Sequence, residues 1–455
     1  MEIQRDELNN LIELIFSAMK KYQENNSSIH PYDIAEQLLE LREISNEEYV
    51  TLLKKIPHEL LAEVLSELPD YIQEETAEIF SVKKLADIAM KMDTDDAATL
   101  IQNISEEYEE ISQNILESFD DENKELIEQL ISYDEEEAGA YMQTELFSAN
   151  INENIGDSLI RLKELKESGE VDNIWHVHLV NDRNKYLGSI GLEELIIFER
   201  ELKFEDIPFQ KHKNFSVNHK ENIKEVVEIV TNYNLNAIAV VDDKNKLVGR
   251  ITSDDIYDII EESATEQIFN LAGVDDNAEQ DENLFKIGKT RAIWLGLNLF
   301  TAIASSTVIS MFDTTIQSLV ALAILMPIVA SMGGNLGTQA LTVTVRQMAL
   351  GEIEGDDAKK TIRKEVMIAT ANGFFFASII GIVAYLWFNM PLLGLVIALS
   401  MVINLISAGF FGSVIPLLLQ KAGVDPAIGS TVLLTAITDI LGFFTFLGLA
   451  TLIIL

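Results

Sequence analysis

The chain of 455 residues contains no cysteine, which excludes disulfides and thiolate metal sites. It is also poor in bases, with 33 Lys and Arg against 74 Asp and Glu, for a net charge of −41. Such a chain repels nucleic acid and anionic lipid head groups and attracts divalent cations, so we expect no nucleic-acid partner. No phosphate-binding loop and no catalytic constellation is recognisable. We therefore expect neither an enzyme nor transport driven by hydrolysis in this chain.

The acidic charge is confined to the first part of the chain. Residues 1–285 contain 24 Lys and Arg against 66 Asp and Glu, a net charge of −42, whereas the remainder contains 9 against 8. The first residues, Met1-Glu-Ile-Gln-Arg-Asp-Glu, lack a basic segment followed by an apolar run. We therefore expect no signal peptide and a cytoplasmic first part. The length predicts two to four domains.

Residues 1–130 show helical periodicity and little else, as in the apolar stripe of residues 60–68. Short acidic or proline-containing breaks separate the stretches, so we predict an all-α N-terminal domain of stacked helices in a superhelical array. One of these breaks contains Asp93, Asp95 and Asp96, which could bind a hard cation through oxygen. A capped and solvated helix start is an equally good interpretation.

An internal repeat follows. A short strand pattern at residues 175–180, a charged turn and a second strand recur about 60 residues later at Ala237-Ile-Ala-Val-Val241 and its successor. The unit resembles a tandem pair of CBS domains, for which we predict the bounds 131–200 and 201–262. His176 and His178 fall in the first strand pattern and are interpreted as strand residues rather than ligands.

The end of each repeat bears on nucleotide binding. In CBS domains a Thr-x-x-Asp at the final strand–helix junction often holds a nucleotide ribose, and Thr252 and Asp255 match it. Ser189-Ile-Gly-Leu192, the equivalent stretch of the first repeat, lacks the acid. The resemblance thus leaves open ATP or another adenine nucleotide, with an ion-sensing or purely structural pair as the favoured interpretation.

Five apolar segments follow, each long enough to cross a lipid bilayer: residues 292–311, 316–344, 366–388, 392–419 and 427–455. The bases of this part flank the first segment on its N-terminal side and occupy the second and fourth connections, so those lie in the cytoplasm. We therefore predict a five-helix transmembrane domain, residues 289–455, in the cell membrane, with its C-terminus at the outer face. An amphipathic stretch, residues 263–288, would connect it to the repeats.

The last segment contains one carboxylate. Thr431, Thr435, Thr438, Asp439 and Gly442 recur at helical spacing, so they share one face, which we expect to turn inward. An ionisable residue inside a membrane is costly and by default a functional candidate. Hydrogen bonding to a neighbouring helix for packing is the alternative.

The second segment has a polar stripe at the same spacing: Ser331, Asn335, Thr338, Gln339 and Thr342. Its glycines Gly333, Gly334 and Gly337 favour close helix packing. Asn404 and Ser407 add polar character to the fourth segment. The two stripes together predict a cation path.

Three motifs resemble the membrane domain of the MgtE magnesium channels: Gly333-Gly-Asn-Leu-Gly-Thr-Gln339, Arg346 followed by Ala349-Leu-Gly-Glu-Ile353, and Thr438-Asp-Ile-Leu-Gly442. The order of helical domain, CBS pair, connector and five spans is similar along essentially the whole chain. The resemblance implies a magnesium importer that is a homodimer with its pore on the two-fold axis. It places Asp439 at the selectivity filter, beside Thr435, Gly442 and Asn335.

The resemblance also implies a plug helix after the CBS pair and regulatory Mg²⁺ sites that close the pore when cytoplasmic Mg²⁺ rises. Asp255 and Glu266 fall on acidic regulatory positions of the family, whereas Asn234, Ser263 and Gln267 replace acids found in well-known members. Asp258, Glu261 and Glu262 are the acids that would substitute. With the three acids at residues 93–96, these form the predicted regulatory set.

Two other functions remain open. One is a carrier for another divalent cation, such as Co²⁺ or Mn²⁺, with or without coupling to sodium or protons. The other is a membrane-anchored sensor of Mg²⁺ or nucleotide that conducts nothing. The charge inside the last segment speaks against the sensor, because a sensor has no use for an intramembrane acid.

Overall fold

A computed structural model describes residues 2–23, 30–171, 173–207, 215–274, 284–350, 353 and 357–455. The chain divides into two compact units, Met1–Ile260 and Glu261–Leu455. The first contains the helical domain and both repeats, and the second contains the membrane helices.

The first unit begins with a series of helices, which confirms the all-α prediction for this part. Each apolar face packs into one continuous core, with Ile34, Leu38 and Leu60 fully buried. Polar side chains cap the starts of some of these helices, as where Ser45 Oγ accepts a hydrogen bond from Glu48 N at the start of α3. The helices are α1 Glu2–Gln23, α2 Pro31–Ile44, α3 Asn46–Leu53, α4 His58–Ser66, α5 Asp70–Ile79, α6 Val82–Ala89, α7 Thr94–Glu107, α8 Glu109–Leu116 and α9 Asp121–Ile131.

Two three-stranded sheets of identical topology follow, in which the first pair of strands is parallel and the second antiparallel. The second and third strands of the two repeats lie 61 residues apart in sequence, and the first strands lie 68 residues apart. The first repeat contains β1 Ser148–Asn150, α10 Ile155–Ser168, β2 His176–Val180, β3 Tyr186–Gly191 and α11 Leu192–Leu195. The second contains β4 Ser216–Asn218, α12 Ile223–Tyr233, β5 Ala237–Val241 and β6 Leu247–Thr252.

The repeats join through their turns. Tyr186 N donates to Asn245 O at 2.9 Å, and Leu247 N donates to Asn184 O at 3.1 Å. Asn184 and Asn245 occupy equivalent positions and both have positive φ, 57° and 60°, which asparagine tolerates better than most residues. The two sheets thus form one pair around a shared small core that includes Val180 and Val241.

The second repeat shares its core with the helical domain, since Val226, Ile238 and Ile251 belong to the same cluster as the helices. From the end of β6 a single helix, α13 Ser253–Ala272, continues without a break. The predicted boundary between residues 262 and 263 falls inside this helix. Residues 275–283 of the predicted connector lie outside the described residues, as do Gly351 and Glu352 of the second motif.

The second unit contains five helices that are long and apolar enough to cross a membrane. They are α14 Leu284–Ser310, α16 Ala321–Ala349, α17 Asp357–Phe388, α18 Pro391–Lys421 and α19 Ser430–Ile453, with a short α15 Asp313–Ser318 after the first. The predicted start of the second span at residue 316 was wrong. Thr315 Oγ1 lies 2.8 Å from Thr451 Oγ1, which holds α15 as a separate element.

Helix α18 is the centre of the membrane unit and packs along α16, α17 and α19. Glycines permit its close crossings: a β-carbon at Gly412 would lie 2.6 Å from Gly337 O, and one at Gly394 would lie 2.6 Å from Gly381 O. Because α18 fills the middle, the outer faces of α16 and α19 are left at the surface of the single chain.

Candidate functional site

Asp439 lies in the middle of α19 and is half-buried. On its two sides, Thr438 and Gly442 are fully enclosed, whereas Thr435 is exposed and donates to Thr431 O at 2.8 Å. The expectation that the whole stripe faces the interior of the bundle was therefore wrong for one chain. The interior position is occupied by α18, so the stripe lies along the edge where α19 meets the surface.

The polar stripe of α16 is likewise at the surface. Ser331, Asn335, Thr338, Gln339 and Thr342 are all exposed in the single chain. An exposed polar stripe on a membrane helix is unfavourable against hydrocarbon, so this face needs water, protein or both as its surroundings.

The glycines of the second span divide into two kinds. Gly333 and Gly337 are buried, and a β-carbon at either would meet a side chain of a neighbouring helix, Asn404 or Leu434. A β-carbon at Gly334 would meet nothing within 4 Å. The prediction of close helix packing therefore holds for Gly333 and Gly337 and not for Gly334.

Asp439 has no hydrogen-bond partner within the described part of the chain. A carboxylate kept in a membrane helix for packing would be expected to bond across to a neighbour, because an unsatisfied charge in hydrocarbon is expensive. The packing interpretation thus lacks its required contact, and the acid faces the same surface as Thr435.

A second acidic site lies in the first unit, where the start of α7 meets the start of α13. Glu145 binds the start of α7, because its Oε2 accepts hydrogen bonds from Thr94 N at 3.3 Å and from Thr94 Oγ1 at 3.0 Å. Asp255 caps the second, since its Oδ2 accepts from Thr252 N at 3.1 Å and from Thr252 Oγ1 at 2.6 Å. Helix N-termini tolerate acids well, and here two such ends are brought together.

The carboxylates of this acidic site are buried and lie close enough to one another to shift their pKa values. Burial raises the pKa of Asp95, which is only 8% exposed, with the charges of Asp255 and Asp96 acting in the same direction. Burial also raises the pKa of Asp96, and Glu145 adds to the effect. Burial raises the pKa of Asp255 to about 7, against the opposing hydrogen bonds from Thr252 and with support from Asp254. Of the predicted regulatory residues, Asp93 and Asp258 also act electrostatically on this cluster.

Sequence reasoning missed three members of the cluster. Burial and the charges of Asp258 and Asp96 raise the pKa of Glu67, at the end of α4. Glu145 follows the helical domain and Arg250 lies in β6. No local pattern marks them, because their proximity depends on how the helical domain packs against the second repeat.

Arg250 is a cation buried among these acids, with 4% of its surface exposed. Its backbone pairs with Gln143, and its Nη1 donates to Asn173 O at 3.0 Å. Burial lowers its pKa, whereas Asp93, Glu145 and Asp255 raise it. Arg250 thus links the acidic cluster to Gln143 through its backbone and to Asn173 through its guanidinium.

The cluster is not a finished coordination site. Among the described residues no three carboxylate or histidine side chains are placed to hold a metal ion directly. The remaining predicted regulatory acids, Glu261, Glu262 and Glu266, belong to the second unit and are exposed on α13.

The predicted nucleotide pair is engaged internally. Thr252 and Asp255 bond to each other as described above. In the first repeat, Ser189 Oγ lies 2.7 Å from His178 Nδ1, and burial lowers the pKa of His178 to about 3. His178 is therefore a neutral strand residue.

In the second unit, the end of α13 meets the start of α19. Thr431 Oγ1 donates to Leu271 O at 2.8 Å, and Leu271 packs against the buried Leu434 and Leu341. Gly273 and Gly429, both with positive φ, lie against the Trp294 ring. Helix α13 thus contacts α19 at Thr431, eight residues before Asp439.

Comparison with known proteins decides the family. The chain is 30% identical over 430 residues, 93% of its length and 92% of the relative's, to the magnesium transporter MgtE of Bacillus subtilis. It is 27% identical over 428 residues to that of Thermus thermophilus, covering 94% and 93% of the two chains, and 31% identical over 326 residues to that of Enterococcus faecalis, covering 71% of each.

This chain belongs to the MgtE family.

Family profiles match three of its parts: the divalent cation transporter domain at residues 326–449, the MgtE intracellular N domain at residues 29–136 and a CBS domain at residues 205–262. Among solved structures, the soluble part of a magnesium transporter is 23% identical, with a TM-score of 0.49, over 57% of this chain and 99% of that one. The cytosolic domain of the Mg²⁺ channel MgtE in complex with ATP is 24% identical, with a TM-score of 0.47, over 54% and 99%.

The MgtE relatives are named as transporters, which agrees with the expectation that this chain is not an enzyme. In this MgtE chain the transporter-domain match contains Asp439 and Asn335, and the two other matches contain the acids of residues 93–96 and those of α13 as far as Glu262. The family resemblance drawn from the motifs is thereby confirmed.

Proposed function

We propose that this chain is the subunit of a homodimeric magnesium channel in the cell membrane, in which Asp439 forms the selectivity filter and the acidic cluster closes the pore. The observation that carries the filter is the half-buried Asp439 without a partner, on a helix whose neighbour exposes a polar stripe. Thr435, Gly442 and Asn335 complete the proposed filter. Magnesium enters down its electrochemical gradient, since no hydrolytic motor is encoded.

The location of the polar faces supports the proposed homodimer. Within one chain the stripes of α16 and α19 end at the surface, where lipid would leave their amides and hydroxyls unsatisfied. A second copy related by a two-fold axis would place the same stripes opposite each other. Two Asp439 carboxylates would then face a common, water-filled path.

Magnesium chemistry suits such a path. The ion gives up water reluctantly and keeps an octahedral oxygen shell, so a pair of carboxylates would hold it through its water ligands. The site would reward the size and charge of the hydrated ion. It would also be weak enough to release the ion, because no full set of protein ligands replaces the hydration shell.

The filter is tested with Asp439→Asn in proteoliposomes. We expect magnesium uptake to be abolished while the variant still forms a folded dimer, because the amide keeps the size of the side chain and removes its charge. Asp313→Asn is the matched control, since Asp313 lies at the start of α15, away from both polar stripes. Uptake by Asp439→Asn at the wild-type rate would refute the assignment.

The regulatory part of the proposal rests on the acidic cluster. Without cytoplasmic Mg²⁺, like charges in residues 1–262 repel one another and the assembly loosens. When Mg²⁺ rises, it bridges carboxylates of α7 and α13, and the bound arrangement is favoured as a population shift. The proposed regulatory acids are Asp93, Asp95, Asp96, Asp255, Asp258, Glu261, Glu262 and Glu266.

The connector gives this regulation a way to reach the pore. Helix α13 carries the cluster acids at its start, and at its end Leu271 O accepts from Thr431 on the filter helix. A change in the ordering of α13 would therefore change the contacts at the cytoplasmic start of α19. Limited proteolysis with and without millimolar Mg²⁺ tests the regulatory part, and unchanged cleavage would contradict it.

A nucleotide at the CBS pair remains a second, separate proposal. Thr252 and Asp255 match the ribose-binding pattern, and both would have to exchange their mutual hydrogen bond for the ribose hydroxyls. Calorimetric titration of ATP into the wild type and Thr252→Ala tests it. Identical heats for both proteins would exclude this site.

A further inference from the structure

Asn404 lies where three membrane helices cross. It belongs to α18, has no exposed surface, and donates from Nδ2 to Val329 O of α16 at 2.9 Å. On its other side it touches Gly442 of α19: a β-carbon there would lie 2.9 Å from Asn404 Nδ2. One amide thus contacts both helices that carry the polar stripes.

The two glycines around Asn404 are required by this amide. A β-carbon at Gly333 would overlap Asn404 Nδ2, and it would lie 3.1 Å from Oδ1. A β-carbon at Gly442 would also be tight against the amide, at 3.3 Å from Oδ1. Gly333 precedes Asn335 by two residues, and Gly442 follows Asp439 by three. The glycines of both filter motifs therefore face one side chain.

Asn404 differs from the other buried polar residues of α18. Ser400 Oγ donates to Val396 O at 2.7 Å and Ser413 Oγ donates to Gly409 O at 2.9 Å, both within the helix. Asn404 instead bonds to another helix. Its Oδ1 is buried and accepts no conventional hydrogen bond from the described residues. The Cα–H groups of the two glycines that point at the amide are the weak donors available to it.

An apolar side chain would fill the same place without leaving a polar atom unsatisfied, and burying an amide in a membrane domain costs free energy. A buried polar residue that costs free energy in this way is best explained by a role in holding the helices at a fixed distance. The amide is planar and rigid, and its hydrogen bond to Val329 O fixes its orientation. It therefore sets how closely α16 and α19 approach each other.

We propose that Asn404 is a positioning residue of the ion path, a spacer that fixes the distance between α16 and α19. Through that distance it places Asp439 relative to Asn335. The inference rests on the proposed filter role of Asp439. It assigns to Asn404 no contact with the ion.

The test is a size exchange between helices. Gly333→Ala alone introduces a methyl group that overlaps the amide, so we expect loss of the Mg²⁺-over-Ca²⁺ uptake preference by about tenfold. Asn404→Ala removes the overlapped atoms, and the double variant Gly333→Ala/Asn404→Ala is expected to recover stability relative to Gly333→Ala. Gly373→Ala is the control, because its β-carbon would make only an ordinary contact of 3.6 Å with Val402 Cα.

Uptake of Mg²⁺ and Ca²⁺ into proteoliposomes, together with thermal stability of the dimer, separates the outcomes. Asn404→Ala with reduced preference and a stable dimer supports the proposal. Wild-type preference in Asn404→Ala, or a double variant no more stable than Gly333→Ala, overturns it. If Asn404→Ala does not assemble, the double variant decides. A double variant that assembles as a dimer and has an altered Mg²⁺-over-Ca²⁺ preference supports the spacer role. A double variant that also fails to assemble overturns it. The comparison of thermal stabilities does not depend on the role of Asp439. Failure of the spacer proposal is therefore distinguishable from failure of the filter proposal, which is tested with Asp439→Asn.

Discussion

The two units of the chain hold carboxylates in opposite ways. In the first unit, Asp95, Asp96 and Asp255 crowd together at helix starts, burial raises their pKa values, and Arg250 lies buried among them. In the second unit, Asp439 is alone on a helix of hydroxyls and glycines. This difference suits the proposed roles, because an ion that bridged the crowded cluster would relieve repulsion and so change the state of a sensor. A filter has to let the ion leave, which a single acid per chain allows.

Of the changes described here, neutralising acids of the cluster should have the largest effect, because it makes the first unit less unlike the second in its carboxylate charge. Asp95→Asn/Asp255→Asn removes two carboxylates of the cluster and weakens the repulsion between α7 and α13, so we expect the metal-free protein to resist protease already. In the wild type we expect Mg²⁺ to slow cleavage by a factor on the order of 100. In this double variant most of that effect should be lost. Asp121→Asn/Asp157→Asn, two exposed acids outside the cluster, is the control. Equal magnesium responses in the two double variants would contradict the account.

Removing the buried cation should act in the other direction. In Arg250→Gln the acids lose a counter-charge, so we expect cleavage in EDTA to rise by about tenfold and saturating Mg²⁺ to restore protection. Arg250→Lys, which keeps the charge, should stay near the wild type. If Mg²⁺ fails to protect Arg250→Gln, the residue supports packing rather than charge balance.

The cluster also predicts a pH dependence. Burial raises the pKa of Asp255 to about 7, against an ordinary value near 4, so the docked metal-free cluster binds a proton that the separated domains release. The penalty for docking without metal therefore grows as pH rises from about 4 and is complete above about 7. We expect protease resistance in EDTA to be greater at pH 6 than at pH 8, by about tenfold. Asp255→Asn should flatten this dependence, and a wild type without it would contradict the assignment.

The connector contact should give the smallest effect. Thr431→Val removes the hydroxyl that donates to Leu271 O and keeps the shape of the side chain. We expect the Mg²⁺ concentration that halves uptake to rise by about threefold, which corresponds to one hydrogen bond of ordinary strength. Thr370→Val is the comparison, because its hydroxyl donates to Val366 O within α17 and the residue has no part in the proposed filter. A larger shift for Thr370→Val would place the control of the pore elsewhere.

The sequence predicted those features that depend on local pattern. The all-α N-terminal part, the repeated strand–turn–strand unit and five apolar helices follow from periodicity, and β5 was predicted with its observed bounds, Ala237–Val241. Local pattern failed where a tertiary contact overrode it. The run from residue 316 to 344 reads as one apolar segment, yet the helix is interrupted between Ser318 and Ala321.

The residues of the two candidate sites were predicted only where a local pattern marks them. Asp439 stands out because a charge in an apolar helix is visible from sequence alone. Arg250 and Glu145 carry no such mark, and their place in the cluster exists only after the helical domain packs on the second repeat. The partner of Asn404 was equally hidden, since a hydrogen bond between helices depends on where they cross.

The central claim is that an acidic cluster in the first unit controls a filter in the second. The most direct measurement is the initial rate of isotope-labelled Mg²⁺ entry into proteoliposomes that contain either EDTA or millimolar Mg²⁺ on the side of the N-terminal unit. The account predicts fast entry with EDTA and slow entry with Mg²⁺. Equal rates in the two preparations, at the same driving force, would contradict it.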